Sequence, residues 1–213
     1  MEHVAELIVK VLINEKSVEK PVSRIIPMQQ STRRFLLREQ TSRSHAMVDD
    51  AVGAFHSLDS YKLYLQGLHA FRVPLERDLA TIAWPASFAA WRPQQISALL
   101  VADMTDLGME PAHAASLHQV DGDLACLLGT LYVIEGATLG SRVLYKRAQT
   151  LGLDEHYGAR HLASQSAGID SWRSFLTLLE EAHPVEFNQV VAASLSTFNA
   201  AGQAFKGRHD AAQ

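Results

Sequence analysis

Glycine and proline fall in clusters along this 213-residue chain, and the long stretches between them contain neither. Almost no run of β-branched and aromatic residues alternates with polar ones, so the strand pattern is nearly missing. What remains is a succession of helix-length segments with few breakers, and the expected class is all-α. No segment repeats at the periods of repeat proteins, and none is of low complexity.

The chain divides unevenly. Residues 1–30 read as an N-terminal extension: Glu2 to Glu15 suits an amphipathic helix, and Glu19 to Gln30, with Pro21 and Pro27, reads as a linker. Residues 31–213 form the main domain. There Ser31 or Thr32 caps a helix to about Phe55, and Asp59 or Ser60 caps a second from about Tyr61 to Ile82. Pro93 starts a third helix, and Val120 to Leu151 reads as one long helix stopped by Gly152. Ile169 to Ala182 and Pro184 to Gly207 complete the set.

Composition excludes several classes. With 47% hydrophobic and 20% charged residues, the chain can bury a core. Nineteen basic against 23 acidic residues leave a net charge of -4, without the basic excess of a general nucleic-acid binder. Cys126 is the single cysteine, which excludes an intrachain disulfide and a Cys-rich zinc site. No apolar run approaches the roughly 18 residues of a membrane span. Leu7 to Ile13 lacks the flanks of a signal peptide, so the cytoplasm is the expected location.

Leu128 to Arg147, LGTLYVIEGATLGSRVLYKR, is helical in pattern yet holds Gly129, Gly136 and Gly140. Each internal glycine costs a helix about 1 kcal/mol relative to alanine. At 100° per residue, Gly140 lies about 40° and Gly129 about 20° from Gly136, with Tyr132 at about -40° and Arg147 at about 20°. One face is therefore bare of side chains, with Tyr132 among the glycines and Arg147 at its far end. Such a face suits either close packing of a second helix or a flat ligand.

Arg33 to Asp50, RRFLLREQTSRSHAMVDD, places Arg34, Arg38, Thr41, His45 and Asp49 on one stripe. A neutral imidazole on a helix is a good ligand for haem iron. Two arginines on its stripe suit the carboxylates of the same ligand, and Asp49 suits the second ring nitrogen. The alternative is a solvated basic face. Glu180 to His183 contains one ExxH, where a di-iron bundle needs two and further Glu. HExxH, GxxxxGK[ST] and GxGxxG are absent from the chain.

Taken together, the two stretches resemble the haem oxygenases, especially the bacterial biliverdin-producing branch. LREQTSRSHAMVDD is similar to the family's opening helix with its proximal histidine, and LGTLYVIEGATLGSRVL to its distal helix. Phe198-Asn199 and Phe205 resemble aromatic positions of its final helix. The likeness covers roughly residues 31–207. It implies an all-α, haem oxygenase-like bundle with haem between proximal and distal helices. His45 is then the iron ligand, with Gly136 and Gly140 over the distal face. Arg38 and Arg173 match basic positions that contact the haem propionates. Thr41, Tyr132 and Phe198 are expected to line the pocket. Where animal members carry Asp after the first distal glycine, this chain has Ala137, and Ser141 follows Gly140 where many have a second glycine.

The implied reaction takes haem, dioxygen and electrons from a ferredoxin or flavoprotein reductase to biliverdin, carbon monoxide and ferrous iron. Haem is both substrate and cofactor, and no nucleic-acid or membrane partner is expected. Two alternatives stand beside it: a haem-binding protein without turnover, and a helical interaction module of the same fold without haem.

Overall fold

The computed structural model describes residues 32–111 and 118–209. The expected leader helix and linker in residues 1–30 lie outside the described residues. Seven α-helices are described: α1 (Arg33–Val52), α2 (Leu58–Ala80), α3 (Ser97–Asp106), α4 (Leu124–Thr150), α5 (Arg160–Ser166), α6 (Ile169–Glu181) and α7 (Phe187–His209). A 3-10 turn, Ala86–Phe88, precedes α3, and there is no β-strand among the described residues. The all-α expectation therefore holds.

Helix ends follow local chemistry, and they differ from the sequence reading in instructive ways. Helix α1 stops at Val52, short of Phe55, because Gly53 adopts φ 64° and its N–H donates to the Asp49 carbonyl. Ser57, not Asp59, caps α2 through a reciprocal capping box with Ser60. Asp123 caps α4, its carboxylate accepting the Ala125 and Cys126 amides at 2.9 and 3.1 Å. Helix α3 begins at Ser97 rather than Pro93, because residues 94–97 are held by buried carboxylates. Glu135 accepts the Gln94 amide, and Glu76 accepts those of Ile96 and Ser97. The short α5 escaped the sequence reading altogether. Its first amides, Arg160 and His161, are capped by Asp103 of α3 at 3.0 Å each.

Helix α7 organises the bundle, packing on α1, α2 and α4. At Gly67 of α2 a Cβ would fall 2.3 Å from the Phe205 ring, so α7 lies flat against α2. Helix α4 is long and apolar enough to cross a membrane, yet it runs through the core, in contact with α5, α6 and α7. Its Leu127, Leu128, Leu131 and Ile134 are almost fully buried with Phe175 and Leu179 of α6. A second cluster, around Tyr61, Tyr64, Leu100, Met104 and Leu162, closes the other end. Burial at this density supplies most of the folding drive.

Candidate functional site between the first and fourth helices

Helices α1 and α4 both rest on α7, and Tyr132 of α4 lies beside Thr41 of the histidine stripe. Leu37 and Thr41 are the buried anchors of α1. The Thr41 hydroxyl donates to the Leu37 carbonyl at 2.7 Å, and the Tyr132 phenol of α4 lies beside it. Burial pushes the Tyr132 phenol up, while Thr41 and the charges of Arg38 and Arg34 pull it back in part. Three residues of the stripe, Arg34, Arg38 and Thr41, thus lie near Tyr132.

One turn beyond Thr41 stands His45. Its Nδ1 lies 2.9 Å from the Asp49 carboxylate, with side chains 38% and 19% exposed. A carboxylate at Nδ1 favours the tautomer that carries its proton there, which leaves Nε2 with a lone pair. The ring edge packs on Phe198 of α7 at 5.7 Å between centroids. Phe198 itself is buried, so it braces the imidazole. Val48 seats one turn further on, against Gly202 of α7.

On α4 the three glycines divide. A Cβ at Gly129 would meet the Ala193 Cβ and the Val190 carbonyl at 2.5 Å, so this glycine serves close packing against α7. A Cβ at Gly136 would meet only the Trp172 ring of α6, at 3.8 Å, an ordinary contact. Gly136 and Gly140 are both half-buried. The expectation that all three form one bare face is corrected for Gly129. The helix that packs there lies outside what phase alone reports.

Other expected positions are equally specific. Ser141 is buried, and its hydroxyl donates to the Thr138 carbonyl at 2.7 Å, turned away from the Gly136 side of α4. Ala137 is exposed. Arg173 is exposed on α6 and pairs with Asp170 at 3.1 Å, next in sequence to Trp172. Arg147 carries one guanidinium nitrogen that is sealed from solvent without a hydrogen-bond partner. Arg33 is not a ligand-facing base: its guanidinium caps α6 through the Leu179 and Ala182 carbonyls, and Glu180 accepts the Arg33 and Arg34 amides at 3.0 Å. The lone ExxH glutamate is therefore a helix cap, and no cluster with metal-binding composition occurs among the described residues. Trp172 went unread because an apolar residue on an amphipathic helix carries only a packing signal.

Comparison with known proteins finds relatives in sequence and in fold. The chain is 32% identical over 145 residues to the heme oxygenase PigA of Pseudomonas aeruginosa, across 66% of this chain and 73% of that protein. Its structure is similar to the heme oxygenase of Neisseria meningitidis solved in NO- and CO-bound forms. The TM-score is 0.65 at 21% identity, covering 85% of this chain and 94% of that one. No family model matches the chain.

Proposed function

This chain belongs to the haem oxygenase family, and from that premise we propose that it opens haem with dioxygen and reducing equivalents to biliverdin, carbon monoxide and ferrous iron. The observation that carries the reading is His45: its Nδ1 is engaged by Asp49, and its Nε2 is left for an iron. Other residues of α1 and α4 suit a haem. Arg34 and Arg38 gather at one end, with Tyr132 against Thr41. Gly136 leaves its side of α4 bare, and Arg147 holds a buried donor without an acceptor.

Haem supplies both the substrate ring and the iron at which dioxygen is reduced, with electrons from a ferredoxin or flavoprotein reductase. The chain's part is orientation and exclusion. His45 would hold the iron through its Nε2, and Asp49 at Nδ1 would fix the tautomer and ring angle. Arg34 and Arg38 receive the propionates, whose carboxylates pair well with guanidinium forks. Gly136 and Gly140 would let α4 come close to the ring without a Cβ in the way, and Trp172 of α6 bounds the space at Gly136. Ser141 gives its hydroxyl proton to the Thr138 carbonyl. The exposed Arg142 and Lys146 suit an acidic redox partner. We place the reaction in the cytoplasm.

A visible titration of the purified protein with hemin, followed by ascorbate or a ferredoxin system in air, tests the reading. A saturable one-to-one spectrum that converts to a biliverdin band is expected, with altered ligation in His45→Ala. Turnover that survives Gly140→Leu unchanged would overturn the pocket assignment. A stable spectrum with no conversion under several donors points to a haem-handling protein. Absence of any spectral change points to an interaction module of the same fold.

A further inference from the structure

Directly before Gly136 stands Glu135, a carboxylate only 1% exposed in the middle of α4. Two neutral donors hold it: the Gln94 amide at 3.0 Å and the Ser171 hydroxyl of α6 at 2.7 Å. A buried carboxylate is unfavourable unless bonded, and an apolar residue of like size would serve simple packing at least as well. Its surroundings are ordered to the same end. Arg72 of α2 donates to the Ile134 carbonyl, just before Glu135, and to the Gln94 carbonyl, just beside its other partner. The Gln94 side chain in turn donates to Ser164 of α5 at 2.8 Å. Four helices and one extended segment are therefore joined at the turn of α4 that carries the first distal glycine.

Ser171 and Trp172 are consecutive on α6. Through Ser171, Glu135 ties α6 to α4 at the height of Gly136. Trp172 then lies 3.8 Å from where a Gly136 Cβ would be, with its ring 5.9 Å from that of Tyr132. We propose that Glu135 and Ser171 are positioning residues for the site: their hydrogen bond sets how far Trp172 stands from the Gly136 face, and with it the width of the space a small distal ligand must enter. The proposal rests on the haem reading for its ligand and on the α4–α6 geometry for its structural part.

The test uses the full chain and the variants Ser171→Ala, Ser171→Thr and Glu135→Gln. In the ferric haem complex, Ser171→Ala is expected to leave haem affinity within about threefold while changing azide affinity about tenfold, the lower end of the worth of a hydroxyl-to-carboxylate hydrogen bond. Ser171→Thr keeps the hydroxyl and restores azide affinity. Glu135→Gln restores it too, because its carbonyl accepts from Gln94 while its amide donates to the Ser171 oxygen. In the ligand-free protein, Ser171→Ala is expected to speed amide exchange over residues 131–141 more than over 124–130, which pack on α7. Unchanged azide affinity with uniform exchange overturns the proposal, as does failure of both conservative variants to rescue. If the wild-type protein takes up no haem, the functional reading falls, and the exchange comparison alone decides the positioning role.

Discussion

Gly129 touches Ala193 of α7 so closely that a Cβ on the glycine would stand 2.5 Å from the alanine Cβ. The Val190 carbonyl is as near and the Ser194 nitrogen stands at 2.8 Å, and Ser194 donates its hydroxyl to the Gly129 carbonyl at 3.1 Å. Two turns along the same helix, Gly136 has ordinary space. One helix thus uses glycine for two purposes: to bring α7 in at one end, and to keep a face clear at the other.

The two positions are expected to respond oppositely to alanine. Gly129→Ala pushes backbone against backbone and should destabilise the fold by at least about 2 kcal/mol. Gly136→Ala meets no clash and should be neutral or stabilising by up to about 1 kcal/mol through helix propensity. Urea denaturation of both variants decides it; equal stabilities would contradict the packing at Gly129.

Asp49→Asn tests the tautomer argument. The amide is isosteric but uncharged, so His45 loses the carboxylate that holds its Nδ1 proton. Haem affinity is expected to fall about 10-fold or more, as for other groups that orient a metal-bound histidine. The hemin titration reads this directly, and an unaltered dissociation constant would detach Asp49 from the role.

Glu180→Ala removes the acceptor for the Arg33 and Arg34 amides. The expected loss is about 1 kcal/mol, that of one helix cap. Faster amide exchange is expected in the first turns of α1, where Arg34 and Arg38 stand, with the last turns unaffected. Exchange that rises evenly along α1 would argue against a local cap.

Acid should destabilise the protein in two stages. Burial holds the His161 imidazole below its ordinary value of 6.5, and the fully buried Asp103, at 2.7 Å from Nδ1, only partly offsets this. The unfolded chain therefore takes up a proton near pH 6.5 that the folded chain refuses, and stability falls as pH drops below that value. His118, also held low by burial, adds to this segment. Burial pushes the carboxyls of Asp103 and Glu76 up, but their bonds outweigh it. His161 and the Arg160 amide hold Asp103 low, and Arg72 and the Ile96 amide hold Glu76 low. Their contribution is full above about pH 4.5 and is lost below it. Urea midpoints from pH 8 to 3 should be flat, then fall below 6.5, then fall again below 4.5. His161→Gln should flatten the first fall in part, and a midpoint that climbs between pH 6.5 and 5 would refute the assignment.

Much of the bundle was legible because helices announce themselves locally. The helix spans were read nearly in place and the spacing of His45 and Asp49 foretold their contact, whereas the ends that Gly53 and Asp123 set were passed over. Long-range partners left no such trace. The start of α3 depends on Glu76 and Glu135, and α5 on Asp103, residues tens of positions away. Helical phase grouped Gly129 with Gly136 because it reports direction and not what lies opposite. Glu180 belonged to an apparent metal motif and turned out to be bonded to the backbone of a helix nearly 150 residues earlier. The roles of Arg38, Thr41, Tyr132, Arg173 and Phe198 toward a ligand rest on the proposed function, although the fold assembles three of them beside one another.

Because α7 follows every other described helix in the chain yet is the strut on which α1, α2 and α4 rest, the order of synthesis and the order of assembly run against each other. A growing polypeptide carries both walls of the site long before the piece that sets their spacing has been made. A ribosome-bound fragment ending at α6 therefore lacks the surface on which α1, α2 and α4 come to rest, and settled packing among them is expected only after translation has passed α7.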